Sequence, residues 1–197
     1  HPVRVTTLAS DLGSEAGIDA LLSALAARGE TIEVLVNNAG FGLHGNFVDT
    51  DPADDRALTT VHVLAPWRLT KALLPAMVER GHGGVINVGS VYSFSTAPWQ
   101  SLYGAAKGWI VSLTLALREE LRGTGVHLTA LCPGTTLSRF RTRSGLVDRP
   151  SWFTLTCEEV ALAGYRGFQR NRAIIVPGAY YKIYVRAARL LPASWLG

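Results

Sequence analysis

The chain has 197 residues, 48% of them hydrophobic and 17% charged, with 19 Lys and Arg against 15 Asp and Glu for a net charge of +4. That apolar share excludes a disordered chain, and a mild basic excess without a dense cationic stripe argues against nucleic-acid binding. No apolar run reaches the roughly 18 residues that a spanning helix needs, and no charged-then-apolar leader opens the chain. The two cysteines, Cys132 and Cys157, form neither a disulfide framework nor a metal-ligand spacing. One domain over residues 1–197, a reducing and hence cytoplasmic setting, and no metal site are the resulting expectations. Residue 1 is His rather than Met, which points to a processed, tagged or incompletely read chain.

Short β-branched runs alternate with helical patterns, the signature of a parallel α/β sheet. In chain order, Val3–Leu8 reads as a strand, and Ser14–Arg28 as a helix with Ile18, Leu21, Leu22 and Leu25 on one stripe. Glu33–Val36 is the next strand. A long helical stretch then runs from Pro52 to about Arg80, with Pro52 and Pro66 marking starts or bends. Gly84–Val88 is a strand, Ser101–Arg122 an apolar-striped helix stopped by Gly123, and Val126–Leu131 a strand. Thr156–Arg170 opens with the capping-box pair Thr156 and Glu159. Ala173–Val176 is a last strand and Tyr180–Leu191 an amphipathic helix. Four of the strands are almost continuously apolar, as strands covered on both faces are.

Thr135–Leu155 reads as a loop-rich segment after a strand, at the carboxyl edge of the sheet where open α/β folds bind ligands. Its Arg139, Arg141 and Arg143 fit a solvated loop better than an anion site. Leu146, Trp152 and Phe153 suggest an apolar substrate surface. In the tail, Lys182, Arg186 and Arg189 share one helical face, with Tyr181, Tyr184, Val185 and Leu191 over the others. A membrane-surface helix, a cap over a pocket, or packing on the domain or a second subunit all follow that pattern; packing is the favoured reading.

Gly40-Phe41-Gly42-Leu43-His44-Gly45 matches a dinucleotide fingerprint after a strand, but the chain continues Asn46-Phe47-Val48-Asp49 rather than opening a helix. Without a helix N-terminus to hold a pyrophosphate, it reads as a turn. Tyr103 and Lys107 carry more. They lie four apart near a helix start and share one face. A phenol ordinarily ionises near 10. An adjacent ammonium and the positive helix end favour its anion, so Tyr103 is expected to ionise nearer the operating pH and to exchange a proton with an alcohol oxygen. Ser90, 13 residues earlier and just after a strand, would polarise a carbonyl at the same edge. Asn37-Asn38-Ala39-Gly40 and Cys132-Pro133-Gly134 end two further strands.

With Asp11-Leu12 after the first strand, these elements in this order and spacing resemble the short-chain dehydrogenase/reductase family over nearly the whole chain. The resemblance implies a Rossmann-like parallel sheet with flanking helices, and NAD or NADP as cofactor. It implies hydride transfer between the nicotinamide and a carbonyl or secondary alcohol of a small substrate, apolar by the loop residues. Tyr103 would be the acid/base. Lys107 would tune it and bond the nicotinamide ribose, both residues touching the cofactor, and Ser90 would orient the substrate carbonyl. Asp11 would bond the adenine and Leu12 lie against it, while Asn37, Ala39 and Gly40 would line the adenosine side. Pro133, Gly134 and Thr136 would pass beside the nicotinamide, and Ser138 stands where the family often has a Thr that touches the nicotinamide or phosphates. By the same analogy the chain would form a homo-oligomer.

Two departures stand out. The family's relay Asn, which holds a water, is replaced by His62; the imidazole reads either as a relay member or as a packed helix histidine. The family's opening strand and Gly-rich Thr-Gly-x-x-x-Gly-x-Gly turn do not occur in the sequence. Roughly 40–60 residues, more than one βαβ unit, are therefore expected to precede His1 in a longer chain. The choice between NAD and NADP is unreadable without them. Asn37 and Asn38 also fit plain turn residues, and Cys132 a small core residue. Two other functions stay open: a non-catalytic chain that binds no dinucleotide and serves as a binding module, and a peripheral membrane protein using Tyr180–Leu196.

Overall fold

The computed structural model describes residues 3–138, 140, 144 and 151–190. Arg139, Arg141, Arg143, Leu146 and Leu191, named above, lie outside the described residues. Strands β1 (Val34–Asn37), β2 (Gly83–Val88), β3 (Val126–Leu131) and β6 (Ile174–Ile175) form one parallel sheet in the order β1-β2-β3-β6. Each strand is shifted or trimmed from its expected bounds by no more than a residue at either end. Two further short strands, β4 (Thr136–Leu137) and β5 (Leu155–Thr156), pair in parallel at the two ends of the segment expected to be loop-rich.

Helices cover both faces. Val85 and Leu128 pack with Met77 of α3 (Ala65–Arg80), joined by Leu117 and Leu121 at the end of α4 (Ser101–Glu120). On the opposite face Ile86 and Leu131 pack with Val160 and Phe168 of α5 (Cys157–Gln169). Adjacent strand residues point to opposite faces, so Val85 and Ile86 each meet a different helix layer, and the parallel sheet is apolar on both sides. The expected fold class is therefore the observed one.

Local chemistry sets the element ends. α1 (Glu15–Arg28) is capped by Ser14, whose hydroxyl accepts from Gly17 N–H at 3.1 Å. α5 carries the expected capping box, with Thr156 N–H donating to Glu159 at 2.8 Å and Glu159 N–H donating to Thr156 Oγ1 at 3.1 Å. The expected single stretch from Pro52 is divided. α2 (Pro52–Thr59) gives way to a π turn over Thr60–Leu64 before α3 begins. There the Ala65 N–H reaches back to the Thr60 carbonyl, five residues away.

The expected strand Val3–Leu8 is not a strand. The described residues place no ladder beside it, and Val3 and Val5 are 73% and 80% exposed. β-branched composition makes a strand only where a neighbour satisfies its backbone groups. The C-terminal helix α6 (Ala179–Leu190) buries Tyr181, Val185 and Ala188 on the protein, as the packing reading anticipates.

A polar chain crosses the core. Asn37 donates to Asn87 Oδ1 at 2.8 Å, Asn87 donates to Thr114 Oγ1 at 2.9 Å, and Thr114 donates to the Ile110 carbonyl at 2.6 Å. It ties β1 to β2 and β2 to α4. Asn87 and Thr114 are wholly buried, so each bond replaces water that is not there. Asn87→Ala is expected to destabilise the chain by about 1–3 kcal/mol, because it strands both neighbours. Asn46→Ala, which loses an exposed contact to Asp49, should cost no more than about 0.5 kcal/mol. Urea unfolding of the two variants tests the contrast.

Candidate active site

The carboxyl ends of β2 and β3 and the first turns of α4 meet around a cleft of about 940 Å³. β2 and β3 stay paired past their ends, with Gly89 N–H donating to the Leu131 carbonyl at 2.8 Å and Val91 N–H to the Pro133 carbonyl at 3.1 Å. This holds Ser90 beside Pro133 at the floor. The Ser90 hydroxyl oxygen accepts from Tyr92 N–H at 3.2 Å, and the hydroxyl also meets the Tyr103 phenol. The short 3-10 turn that Ser90 caps, Val91–Phe94, is tied to α4 by Ser93 Oγ donating to the Lys107 carbonyl at 2.7 Å.

Tyr103 and Lys107 occupy successive turns of α4 on its buried face. Burial pushes the Tyr103 phenol up to about 12, the Ser90 hydroxyl pulling the other way as a hydrogen-bond partner. Burial likewise brings the Lys107 ammonium down to about 8. The expected direction for Tyr103 is thus reversed, and geometry explains it. Lys107 Nζ donates to the Val88 carbonyl at 2.6 Å and sits 5.6 Å from the centre of the Tyr103 ring. Desolvation of a phenolate then outweighs the ammonium's attraction. One of the three ammonium N–H groups is satisfied by Val88; the described residues offer the other two no acceptor.

His62 sits in the middle of the π turn, buried, with its ring edge-on to Tyr103 at 5.4 Å. Its Nε2 lies 2.7 Å from the Phe41 carbonyl and 3.3 Å from the Phe41 N–H. One nitrogen cannot serve both; the shorter contact assigns the proton to Nε2, donating to the carbonyl, and leaves Nδ1 an acceptor. Burial, with the Lys107 charge, lowers the imidazole to about 3. Gly40 makes room for it: a Cβ there would lie 2.2 Å from His62 Cε1. The glycine of the turn motif is thus required by a histidine, not by a phosphate.

Gly40, His62, Ser90, Tyr103, Lys107, Pro133, Gly134, Thr136 and Ser138 all line the one cleft. Asp11, Leu12, Asn37 and Ala39 do not. Asn37 places its amide on Asn87 and on Thr70 Oγ1, the structural role left open above. Asp11 Oδ1 accepts from Gly13 N–H at 2.9 Å in a local turn. Of the residues expected on the adenosine side, Gly40 lines this cleft, while Asp11, Leu12, Asn37 and Ala39 lie outside it.

Other lining residues were not singled out by their motifs. Asn38, Gln100 and Phe140 also line it, the Phe140 ring 5.5 Å from that of Tyr103, and Tyr181 and Tyr184 enter from α6. Tyr181 Oη accepts from Thr135 N–H at 2.9 Å. Its ring fills the space beside Gly134, where a Cβ would come within 2.0 Å. Tyr184 donates to Ser95 Oγ at 2.8 Å. The amphipathic spacing of the tail, which aligns Tyr181 with Val185 and Ala188, is the signal that points to Tyr181.

The short chain dehydrogenase family model matches residues 2–146. Ketoacyl reductase HetN of Nostoc sp. is 39% identical over 103 residues, 52% of this chain and 36% of that protein. Sulfoacetaldehyde reductase 2 of Chromohalobacter salexigens is 33% identical over 140 residues, 70% of this chain and 56% of that one. A short-chain dehydrogenase from Sphingobium yanoikuyae, solved in complex with NADPH, matches with a TM-score of 0.80 at 29% identity, over 92% of this chain and 72% of that chain. The chain spans about half the length, or less, of the curated relatives it matches.

The low His62 value carries a stability signature. In the unfolded chain the imidazole takes up a proton near its ordinary 6.5, but in the folded chain only near 3. Between those values the unfolded state binds more protons, so stability falls as pH drops from about 6.5 to about 3. His62→Asn should show a shallower fall across that window in denaturant titrations at stepped pH; an unchanged slope would contradict the buried neutral ring.

Proposed function

The chain belongs to the short-chain dehydrogenase family, and on that footing we propose that it is an NAD(P)-dependent oxidoreductase acting on a carbonyl or secondary alcohol of a small apolar substrate. The observation that carries the proposal is the convergence of Ser90, Tyr103 and Lys107 on one cleft with Pro133, Gly134 and Thr136. The two Lys107 N–H groups that find no acceptor among the described residues suit ribose hydroxyls, and the Pro133–Thr136 backbone would flank the nicotinamide. A bound nicotinamide supplies or accepts a hydride at its C4.

The chain's own residues would handle the oxygen. In reduction, Ser90 donates a hydrogen bond to the substrate carbonyl and stabilises charge as it builds there. Tyr103, a neutral phenol at physiological pH because of its burial, transfers its proton to that oxygen as the carbon gains a hydride, leaving an alcohol and a phenolate. The Lys107 ammonium nearby opposes the cost of the phenolate. His62, neutral and held by the Phe41 carbonyl, acts as a fixed wall and acceptor beside the phenol, not as an acid. Val91, Phe153, Val160 and Tyr180 supply apolar lining, which supports an apolar substrate. A cytoplasmic, homo-oligomeric enzyme remains part of the same proposal; no helix of the described residues is long and apolar enough to cross a membrane.

A second reading has an observation of its own. Asp11, Leu12 and Ala39 lie outside the cleft, which favours a non-catalytic binding module that holds no dinucleotide. The two readings separate in one experiment. Tyr103→Phe should lower carbonyl reduction by about 10²–10⁴-fold, with far-UV circular dichroism unchanged. Full activity in that variant would reject Tyr103 as proton donor. Absence of dinucleotide binding by the unaltered protein in calorimetry would favour the binding module.

A further inference from the structure

We propose that the outward face of α6, together with Trp152, is a docking surface for an anionic lipid bilayer, and that the cleft opens beside it. The inference stands apart from the redox reading, since it concerns the outside of the helix whose inner side lines the cleft.

The inner stripe of α6 is accounted for: Tyr181 and Val185 pack with Val91, Phe94 and Phe153. Among the described residues, nothing covers the outer side. Ile183 and Leu190, seven residues and so about two turns apart, are 67% and 85% exposed. Trp152 is 85% exposed and meets Tyr180 edge-on at 5.7 Å, while both rings pack on Phe153, which lines the cleft. Lys182, Arg186 and Arg189 are exposed along the same helix, and none of them pairs with a carboxylate among the described residues. Arg189 instead lies over the Phe94 ring at 4.6 Å. No Asp or Glu occurs after Glu159, whereas Arg166, Arg170, Arg172, Lys182, Arg186 and Arg189 do.

An apolar ridge interleaved with cations and bordered by an indole suits a helix lying in a membrane interface. Aliphatic tips enter the acyl boundary, the indole sits at headgroup level, and the cations meet anionic headgroups. A second copy is a poor occupant, because a two-fold pairing of this face would set its cations against themselves. An apolar substrate dissolved in lipid would reach Phe153 and Tyr180 at the rim of the cleft directly.

The test is flotation of the full chain with vesicles of phosphatidylcholine alone and of phosphatidylcholine with phosphatidylserine. Binding is expected only to the anionic vesicles, with loss at high salt. Lys182→Ser with Arg186→Ser should weaken it by about tenfold or more, and Ile183→Ser with Leu190→Ser should weaken it at unchanged charge. These side chains are exposed, so circular dichroism should match the parent. Equal binding to neutral vesicles, no binding to either, or undiminished binding by both double variants would overturn the proposal. So would a change of oligomeric state in the double variants without lipid, which would mark the face as a protein interface.

Discussion

The burial of polar side chains along one face of α4 is the constraint on which the rest depends. Tyr103, Lys107 and Thr114 all point from that helix toward the sheet, where an apolar stripe would be the simpler solution. Each must find a partner there or change its protonation behaviour. Thr114 finds Asn87 and the Ile110 carbonyl. Lys107 finds the Val88 carbonyl and still holds its proton less tightly than usual. Tyr103 finds Ser90 and holds its proton more tightly. The same docking that completes the core also brings a protonated phenol and a readily deprotonated amine to the sheet's carboxyl edge.

The two halves of this polar face have different tasks. Deep in the core, the Asn37–Asn87–Thr114 chain is satisfied bond for bond and serves to fix the register of β1, β2 and α4. Toward the strand ends the accounting is incomplete, because among the described residues Lys107 keeps donors that find no acceptor. Satisfied polar groups hold the structure, and unsatisfied ones are where a ligand gains most. α6 closes the far side of the same cleft: Tyr181 binds the Thr135 N–H and fits against Gly134, so the loop after β3 is held by a residue nearly fifty positions later.

Much of this was readable in the sequence, for physical reasons. Strands buried on both faces leave continuous apolar runs, so β2 and β3 could be located closely, and the Thr156–Glu159 cap announces itself by composition. Tyr103, Lys107 and Ser90 could be grouped because helical spacing and the end of a strand fix where side chains emerge. What failed was whatever depends on distant neighbours. Val3–Leu8 has strand composition, but a ladder needs a partner. Asn37 looked equally suited to turn or ligand until Asn87 claimed its amide. The sign of the Tyr103 shift turned on how deeply the phenol is buried, which no spacing discloses. Gly40 belonged to a phosphate-like motif yet answers to His62, 22 residues away.

The π turn at Thr60–Leu64 shows how narrowly the site is tuned. It holds one more residue than a regular helical turn would, and each residue in a helix advances the side chains by about 100°. Deleting a single position there would restore uniform winding but rotate every later side chain of α3 relative to α2, carrying His62 away from Tyr103 or Met77 out of the core. The irregular turn thus works as a phase shifter, letting a helix that must satisfy two surfaces with different angular demands do so in one continuous run. Length changes in this segment are therefore confined far more tightly than changes of residue type.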